Sequence, residues 1–167
     1  MVLGMVRYLD ANVFIYAFYR PKKRNLDPIA RAMKDIAKSI IQRISKDEES
    51  VVTSIVHISE VCNIIKHSLP VEDVLALANT LITSRNIRVL DVSVDTYKKA
   101  ISIGFEYGLE PNDALAVLLM RELGINEIYT FDKDFDVVSW LRRRPTDEEI
   151  ERRAKEIRNQ GWPSKNH

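Results

Sequence analysis

The stretch Met5-Val6-Arg7-Tyr8-Leu9-Asp10-Ala11-Asn12-Val13-Phe14-Ile15-Tyr16 decides the fold. Residues 5–10 read as a short, largely apolar and buried strand. A carboxylate and an amide follow, two residues apart, and an apolar helical pattern starts near Asn12 with Val13, Phe14, Ile15 and Tyr16. A strand that delivers Asp10 to a strand-to-helix turn puts charge at the carboxyl edge of a sheet, where open α/β folds build their sites.

Outward from this unit the same alternation repeats. Tyr19 to Leu26 is a basic loop broken by Pro21. Asp27-Pro28 is a helix start, with Asp at the N-cap and Pro at the first helical position. In the helix that follows, Ile29, Met33, Ile36, Ala37, Ile40, Ile41 and Ile44 recur at helical spacing. Arg31, Lys34, Lys38 and Arg43 fall on the other side, as a solvated face or a nucleic-acid track. Val51-Val52-Thr53 is a second strand, and Ser54 caps a helix to about Ser68, closed by Pro70. Cys62 reads as a small buried hydrophobe of that helix. Val71 to Ser84 is another amphipathic helix. Ile87 to Val92 reads as strand three, and Ser93 caps a helix ended by Gly108 as a left-handed residue. Pro111-Asn112-Asp113 opens a helix from Ala114 to Leu123, ended by Gly124. Glu127 to Phe131 is strand four, with Asp132 at its end.

Strands alternating with helices imply βαβ units, a parallel sheet of about four to five strands and helices on both faces, an α/β/α sandwich. After Trp140 the character changes. Arg142-Arg143-Arg144-Pro145 is a basic step, and Thr146 with Glu149 fits a capping box that starts a charged helix. That helix has few apolar anchors (Ile150, Ala154 and Ile157), so it is expected to pack loosely or against a partner. Residues 161–167 are expected to be mobile. The expected organisation is one α/β domain over 1–141 and a charged C-terminal extension over 142–167.

The chain of 167 residues is 46% hydrophobic and 29% charged, an ordinary globular balance. Its formal net charge is +1, so any nucleic-acid surface must be local. Cys62 is the only cysteine, which excludes an intramolecular disulfide and a Cys-cluster zinc site. No apolar run approaches the ~20 residues that span a bilayer. The N-terminus lacks a basic n-region ahead of its apolar residues, unlike a signal peptide. A cytoplasmic location is the expectation that remains.

Each acid alone has an ordinary explanation. Asp10 fits an N-cap, and Asn112 or Asp113 fits a cap favoured by the helix dipole. Asp132, with Asp134 and Asp136, fits a solvated turn. Glu60 is more unusual, because it lies within an apolar helical pattern (Ile55, Ile58, Val61, Cys62, Ile65), where an unpaired carboxylate is destabilising. The combination says more. Two acids end parallel strands, and two lie on helices able to lean over the same edge. Four like charges at one spot stay ionised at neutral pH only around a cation. Carboxylate oxygens suit hard Mg²⁺ or Mn²⁺. His57, His67 and His167 are scattered, and His57 and His67 are expected on helix surfaces.

Four short motifs then stand in order: Leu9-Asp10-Ala11-Asn12, Ser59-Glu60-Val61, Asn112-Asp113-Ala114 and Thr130-Phe131-Asp132-Lys133-Asp134-Phe135. In order and spacing the chain resembles the PIN-domain family, the fold of VapC-type toxin ribonucleases and of RNA-processing nucleases. The resemblance spans roughly residues 5–140. It implies a metal-dependent endoribonuclease with Asp10, Glu60, Asp113 and Asp132 as catalytic and metal-binding acids. It gives Asn12 and Thr130 supporting roles and Asp134 an assisting one. It also implies one or two Mg²⁺ or Mn²⁺ ions, 5′-phosphate and 3′-hydroxyl products, an antitoxin protein where the chain is a toxin, and a homodimer. Arg20, Lys22, Lys23 and Arg24, with Arg142 to Arg144, would contact the RNA backbone rather than its sequence. Tyr19 is placed to stack a base or to pack in its loop.

Competing readings leave residues unused. A receiver-type phosphoacceptor has no role for Glu60, and a haloacid-dehalogenase-type phosphatase needs Asp-x-Asp where this chain has Asp10-Ala11-Asn12. A catalytically silent PIN-like scaffold has no reason to keep four site carboxylates. An RNA-processing nuclease without an antitoxin is the alternative to the toxin.

Overall fold

The computed structural model describes residues 5–20 and 26–161. Five short strands form one parallel sheet: β1 (Arg7–Leu9), β2 (Val51–Ser54), β3 (Ile87–Leu90), β4 (Glu127–Tyr129) and β5 (Arg142–Arg144). Their order is β3-β2-β1-β4-β5. The chain therefore winds outward one way from β1 to β3, then returns to the other side of β1 for β4 and β5. The reversal lies between β1 and β4, and a ligand crevice is expected beyond the carboxyl ends of those two strands. The α/β parallel sandwich expected from the alternation is the fold observed.

Seven α-helices surround the sheet: α1 (Ala11–Phe18), α2 (Pro28–Ser45), α3 (Ile55–Ile65), α4 (Val71–Thr83), α5 (Val94–Tyr107), α6 (Pro111–Leu123) and α7 (Asp147–Asn159). One core joins α1, α2, α3, α4 and α7 through Val13, Phe14, Ile40, Val61, Leu81 and Ile157. The other joins α5 and α6 to the opposite side of the sheet through Ile103, Leu115, Val117, Ile128 and Phe135. Tyr8 and Leu9, adjacent on β1, enter different cores, as the two-residue alternation of a strand requires.

The local signals act as read. The Asp27 carboxylate accepts hydrogen bonds from the Ile29 and Ala30 amides, with Pro28 at the first helical position. Ser54 accepts from His57 N and Ser93 from Thr96 N. Gly108 and Gly124 end α5 and α6 at φ of 70° and 68°, a conformation that disfavours residues with a Cβ.

Other expectations are corrected. Helix α6 begins at Pro111, not Ala114, with Glu110 at the N-cap, so neither Asn112 nor Asp113 caps it. Strand β3 stops at Leu90, before Val92. The cations of α2 are not uniformly solvated. Lys34 Nζ donates to the Tyr16 and Tyr19 carbonyls at 3.0 and 2.7 Å, closing the end of α1. Arg43 pairs with Glu49 and donates to the Tyr129 hydroxyl. Cys62 is half-buried against the first core rather than sealed in it.

The tail is also corrected. Arg142–Arg144 is a sheet strand, and its charged side chains suit an edge. Arg143 pairs with Asp136 and Asp147, and Arg144 reaches Glu127 at 3.4 Å. Helix α7 packs on α2 with Ile150, Ala154 and Ile157 buried, and Arg153 pairs with Asp35 at 2.8 Å. Three anchors at i, i+4 and i+7 make one continuous stripe, so a sparsely apolar helix still docks. The capping box between Thr146 and Glu149 is present. Residues 162–167, expected to be mobile, lie outside the described residues.

Candidate active site

The site grows from the crevice between β1 and β4. Leu9 pairs with Tyr129, so Asp10 and Thr130 leave the sheet side by side, and Asp10 N donates to the Tyr129 carbonyl at 3.0 Å. Asp10 is 5% exposed. Its Oδ1 accepts from Ala11 N at 2.7 Å, capping α1, and its Oδ2 accepts from Thr130 Oγ1 at 2.7 Å. The capping reading of Asp10 thus holds, and the same carboxylate stands at the crevice. Thr130 Oγ1 in turn accepts from Asn12 Nδ2 at 3.1 Å and from Asp132 N at 3.0 Å. Asn12 Oδ1 accepts from Phe131 N at 3.3 Å. A single hydroxyl and a single amide thereby tie the turn after β4 to the turn after β1.

Asp132 caps a 3-10 helix (Lys133–Val137) by accepting from Asp134 N at 2.8 Å. This tight turn swings Asp134 back beside it. Asp113 comes from the first turn of α6. One ligand oxygen each from Asp113, Asp132 and Asp134 lies within 4.8 Å of the others. Asp134 is therefore in the tightest acidic group among the described residues, whereas Asp10 and Glu60 stand outside it.

Glu60 is half-buried on α3 and is held by Asn112. Asn112 Nδ2 donates to Glu60 Oε2 at 3.1 Å, and Tyr97 donates its hydroxyl to Asn112 Oδ1 at 2.9 Å. Because Asn112 does not cap α6, its amide is free to do this. Asn112 and Tyr97 were not foreseen as site residues. The adjacency of Asn112 and Asp113 was the available signal, and capping was the competing explanation.

Asp10 and Asp113 lie in the electrostatic field of neighbouring acids. Burial raises Asp10 to about 7, the Thr130 hydrogen bond opposes the rise, and the charges of Glu60 and Asp132 add to it. Burial also raises Asp113 to about 7, with further upward contributions from Asp10, Asp132 and Glu60. Glu60 is raised by burial, against the Asn112 hydrogen bond. Anions that hold protons this high have a place for positive charge among them. The donors are all carboxylate oxygens, which fits a hard divalent cation and not a thiolate or imidazole metal site.

His57, expected on a helix surface, is fully buried on α3, one turn before Glu60. His67 is exposed beyond the end of α3, and His167 lies outside the described residues. Of the basic loop, Arg20 is exposed and gives its amide to Ser68 Oγ at 3.3 Å. Lys22, Lys23 and Arg24 lie outside the described residues. A cavity of about 590 Å³ lies between α2 and α7, lined by Arg7, Arg43, Arg144 and Arg152 among others, and contains none of the acids.

The crevice and its acids can now be set beside known proteins. A PIN-domain family model matches residues 7–141. The chain belongs to the PIN-domain family. Ribonuclease VapC6 of Methanocaldococcus jannaschii is 30% identical over 79 residues, 47% of this chain and 52% of that protein. The match therefore spans about half the length of that curated relative. The PIN fold seen here is similar to Mycobacterium tuberculosis VapC20, a sarcin-ricin loop cleaving toxin, at a TM-score of 0.62 and 21% identity, covering 84% of this chain and 99% of that one. It is also similar to VapBC2 from Rickettsia felis, solved with a promoter DNA fragment, at 0.55 and 16%, covering 84% and 98%. At these identities the likeness is one of fold. The PIN match agrees with the family resemblance expected from the sequence, and no helix among the described residues is long and apolar enough to cross a membrane.

Proposed function

We propose that this PIN protein is a metal-dependent endoribonuclease that hydrolyses RNA phosphodiesters at the acids around Asp10. One observation carries the reading: Asp113, Asp132 and Asp134, from two separate elements, converge beside the buried Asp10 at the strand-order reversal. In this reading Asp10, Glu60, Asp113 and Asp132 are catalytic and metal-binding, Asp134 assists, and Asn12 and Thr130 support. Mg²⁺ or Mn²⁺, one ion or two, would supply charge neutralisation at the phosphate and activation of a water molecule for in-line attack.

The chain's own groups set the stage for that chemistry. Thr130 fixes one oxygen of Asp10 and Ala11 N the other. Asn112 aims Glu60. Asp10 and Asp113 hold protons near neutrality until a cation replaces them. Neither a serine nor a histidine nucleophile is required, nor is the RNA 2′-hydroxyl, and the PIN resemblance implies products with 5′-phosphate and 3′-hydroxyl ends. Basic residues at 20–24 hold the RNA backbone, and binding weakens as salt rises. Chemistry resides in residues 1–141, and residues 142–167 form an extension.

The VapC-type relatives favour a toxin, and in this reading it is cytoplasmic and homodimeric and is held by an antitoxin that covers the site. The decisive experiment incubates the protein and its Asp10→Asn variant with labelled single-stranded RNA and Mn²⁺, with and without EDTA. Cleavage lost with chelator and with the variant is expected. Cleavage that persists in EDTA, or products ending in a cyclic 2′,3′-phosphate, would overturn the mechanism. RNA left uncut in every lane would favour a binding scaffold.

A further inference from the structure

Behind Asp10 lies a group that the hydrolysis does not use. The His57 imidazole is fully buried. Its Nδ1 is 2.6 Å from Ser54 Oγ and 3.2 Å from the Tyr8 hydroxyl. Its Nε2 has no hydrogen-bond partner and sits 4.0 Å from Asp10 Oδ1. A buried polar atom left unsatisfied in a native site calls for an explanation.

The tautomer follows from the neighbours. Ser54 Oγ already accepts the His57 amide at 3.3 Å, and its one proton is free to go to Nδ1. The Tyr8 hydroxyl converges on the same nitrogen. On the other side Nε2 faces the Asp10 carboxylate. Hydroxyls able to donate at Nδ1 and a carboxylate beside Nε2 fit the Nε2–H form. An imidazole that accepts at Nδ1 carries a single ring proton and is neutral. The neutral ring stands edge-on to Tyr8, with ring centroids 5.6 Å apart and planes at 77°, which fixes its plane.

We propose that His57 is a positioning residue of the acidic site, its neutral imidazole presenting Nε2–H to Asp10 Oδ1 and so setting the carboxylate's orientation toward a divalent cation. The proposal deepens the metal-site reading above and rests on it. Asp10 otherwise receives one donor per oxygen, Ala11 N and Thr130 Oγ1. His57 approaches from α3, the helix that carries Glu60. It therefore spaces two acid-bearing elements and limits the rotation of Asp10 between them. Groups of this outer kind around a metal typically change its affinity by about 10–100-fold when removed.

Two measurements test it. The first is the ¹⁵N–¹H correlation spectrum of the His57 ring in metal-free protein, which reports the tautomer directly. An Nε2–H ring is expected, and an Nδ1–H ring would overturn the proposal. The second is Mn²⁺ binding by calorimetry to wild type, His57→Gln, His57→Asn and His57→Phe, each checked for folding by circular dichroism. Gln puts an amide donor near the Nε2 position, and Asn puts one near Nδ1. His57→Gln should bind within about 3-fold of wild type, while His57→Asn and His57→Phe should bind about 10–100-fold more weakly. If His57→Phe does not fold, the Gln–Asn contrast decides alone. Equal Mn²⁺ affinity across folded variants would overturn the proposal and leave the metal site standing. Absence of Mn²⁺ binding by wild type would remove both.

Discussion

At the scale of single residues, the site shows its purpose by what it strains against. Asp10 and Asp113 are carboxyls with an ordinary value of 3.8, raised to about 7 by burial and by the charges of neighbouring acids. Between those limits the folded, metal-free protein binds more protons than the unfolded chain, so stability falls as pH rises from about 4 to about 7. His57 works the other way. It is lowered from 6.5 to about 4, so in that window the unfolded chain holds the extra proton and stability rises with pH. Two carboxyls oppose one imidazole, and above 6.5 the carboxyls act alone. Urea denaturation in EDTA should therefore show a midpoint that falls toward pH 7, and saturating Mn²⁺ should flatten or reverse the slope. A midpoint that climbs through this window in EDTA would contradict the placement of the two acids. Asn112 makes a second residue-scale test. Asn112→Ala removes the donor to Glu60 without touching a ligand, so Mn²⁺ affinity should drop by about 10–100-fold. The melting temperature should move little, because Asn112 is only half-buried. Unchanged affinity in calorimetry would show that Glu60 needs no guide.

At the scale of elements, α6 delivers Asp113, and its placement depends on the turn from α5. A Cβ built on Gly104 would lie 2.9 Å from the Leu109 carbonyl oxygen and 3.5 Å from Ala114 Cβ. Helix propensity alone would make Gly104→Ala stabilising by about 1 kcal/mol. The clash is with main chain, which cannot swing aside, and overpacking of this kind costs about 1–3 kcal/mol. The second effect should win, so Gly104→Ala should lower stability by up to about 2 kcal/mol net of propensity. Thermal or urea unfolding reads the sign, and a gain in stability would mean that the turn relaxes freely. The α5–α6 turn also shows which elements a sequence discloses. Gly108, Gly124, Asp27-Pro28 and the Thr146–Glu149 box are local signals, each satisfied by atoms within a few residues, so they were legible. Strand β5 was not. Arg142-Arg143-Arg144 has no strand-like alternation, and its conformation comes from pairing with β4 and from Asp136, Asp147 and Glu127, which only the fold assembles. His57 escaped for a related reason. Its burial depends on Tyr8 and Asp10 arriving from β1, 47 or more residues earlier in the chain, and no periodicity within α3 carries that information. The acids were legible because the strand ends that hold Asp10 and Asp132 are marked by sequence, and their exact grouping, with Asp134 close and Glu60 held apart by Asn112, was not.

At the scale of the whole molecule, the question is whether the segment after residue 141 is an appendage or part of the folding unit. The family match stops at 141, yet β5 continues the sheet beyond β4 and α7 buries Ile150, Ala154 and Ile157 against α2. Removing a buried Ile side chain costs about 2–5 kcal/mol, and a domain of ordinary stability has about 5–15 kcal/mol in total. Deleting residues 142–167 removes two such isoleucines, bares the partly buried Ile36 and the buried Ile40 of α2, and turns β4 into an unprotected edge. The two isoleucines alone come to about 4–10 kcal/mol, comparable with that total stability. A chain of residues 1–141 should therefore fail to unfold cooperatively, although it carries every proposed catalytic acid. Full-length Ile157→Ala should unfold cooperatively with about 2–5 kcal/mol less stability. Urea unfolding followed by circular dichroism separates the outcomes. If the shortened chain melts cooperatively near the full-length midpoint, α7 is an appendage and its buried stripe contributes little. If it does not, loss of RNA cleavage in the shortened chain reports unfolding alone, and only point variants such as Asp10→Asn speak to the chemistry.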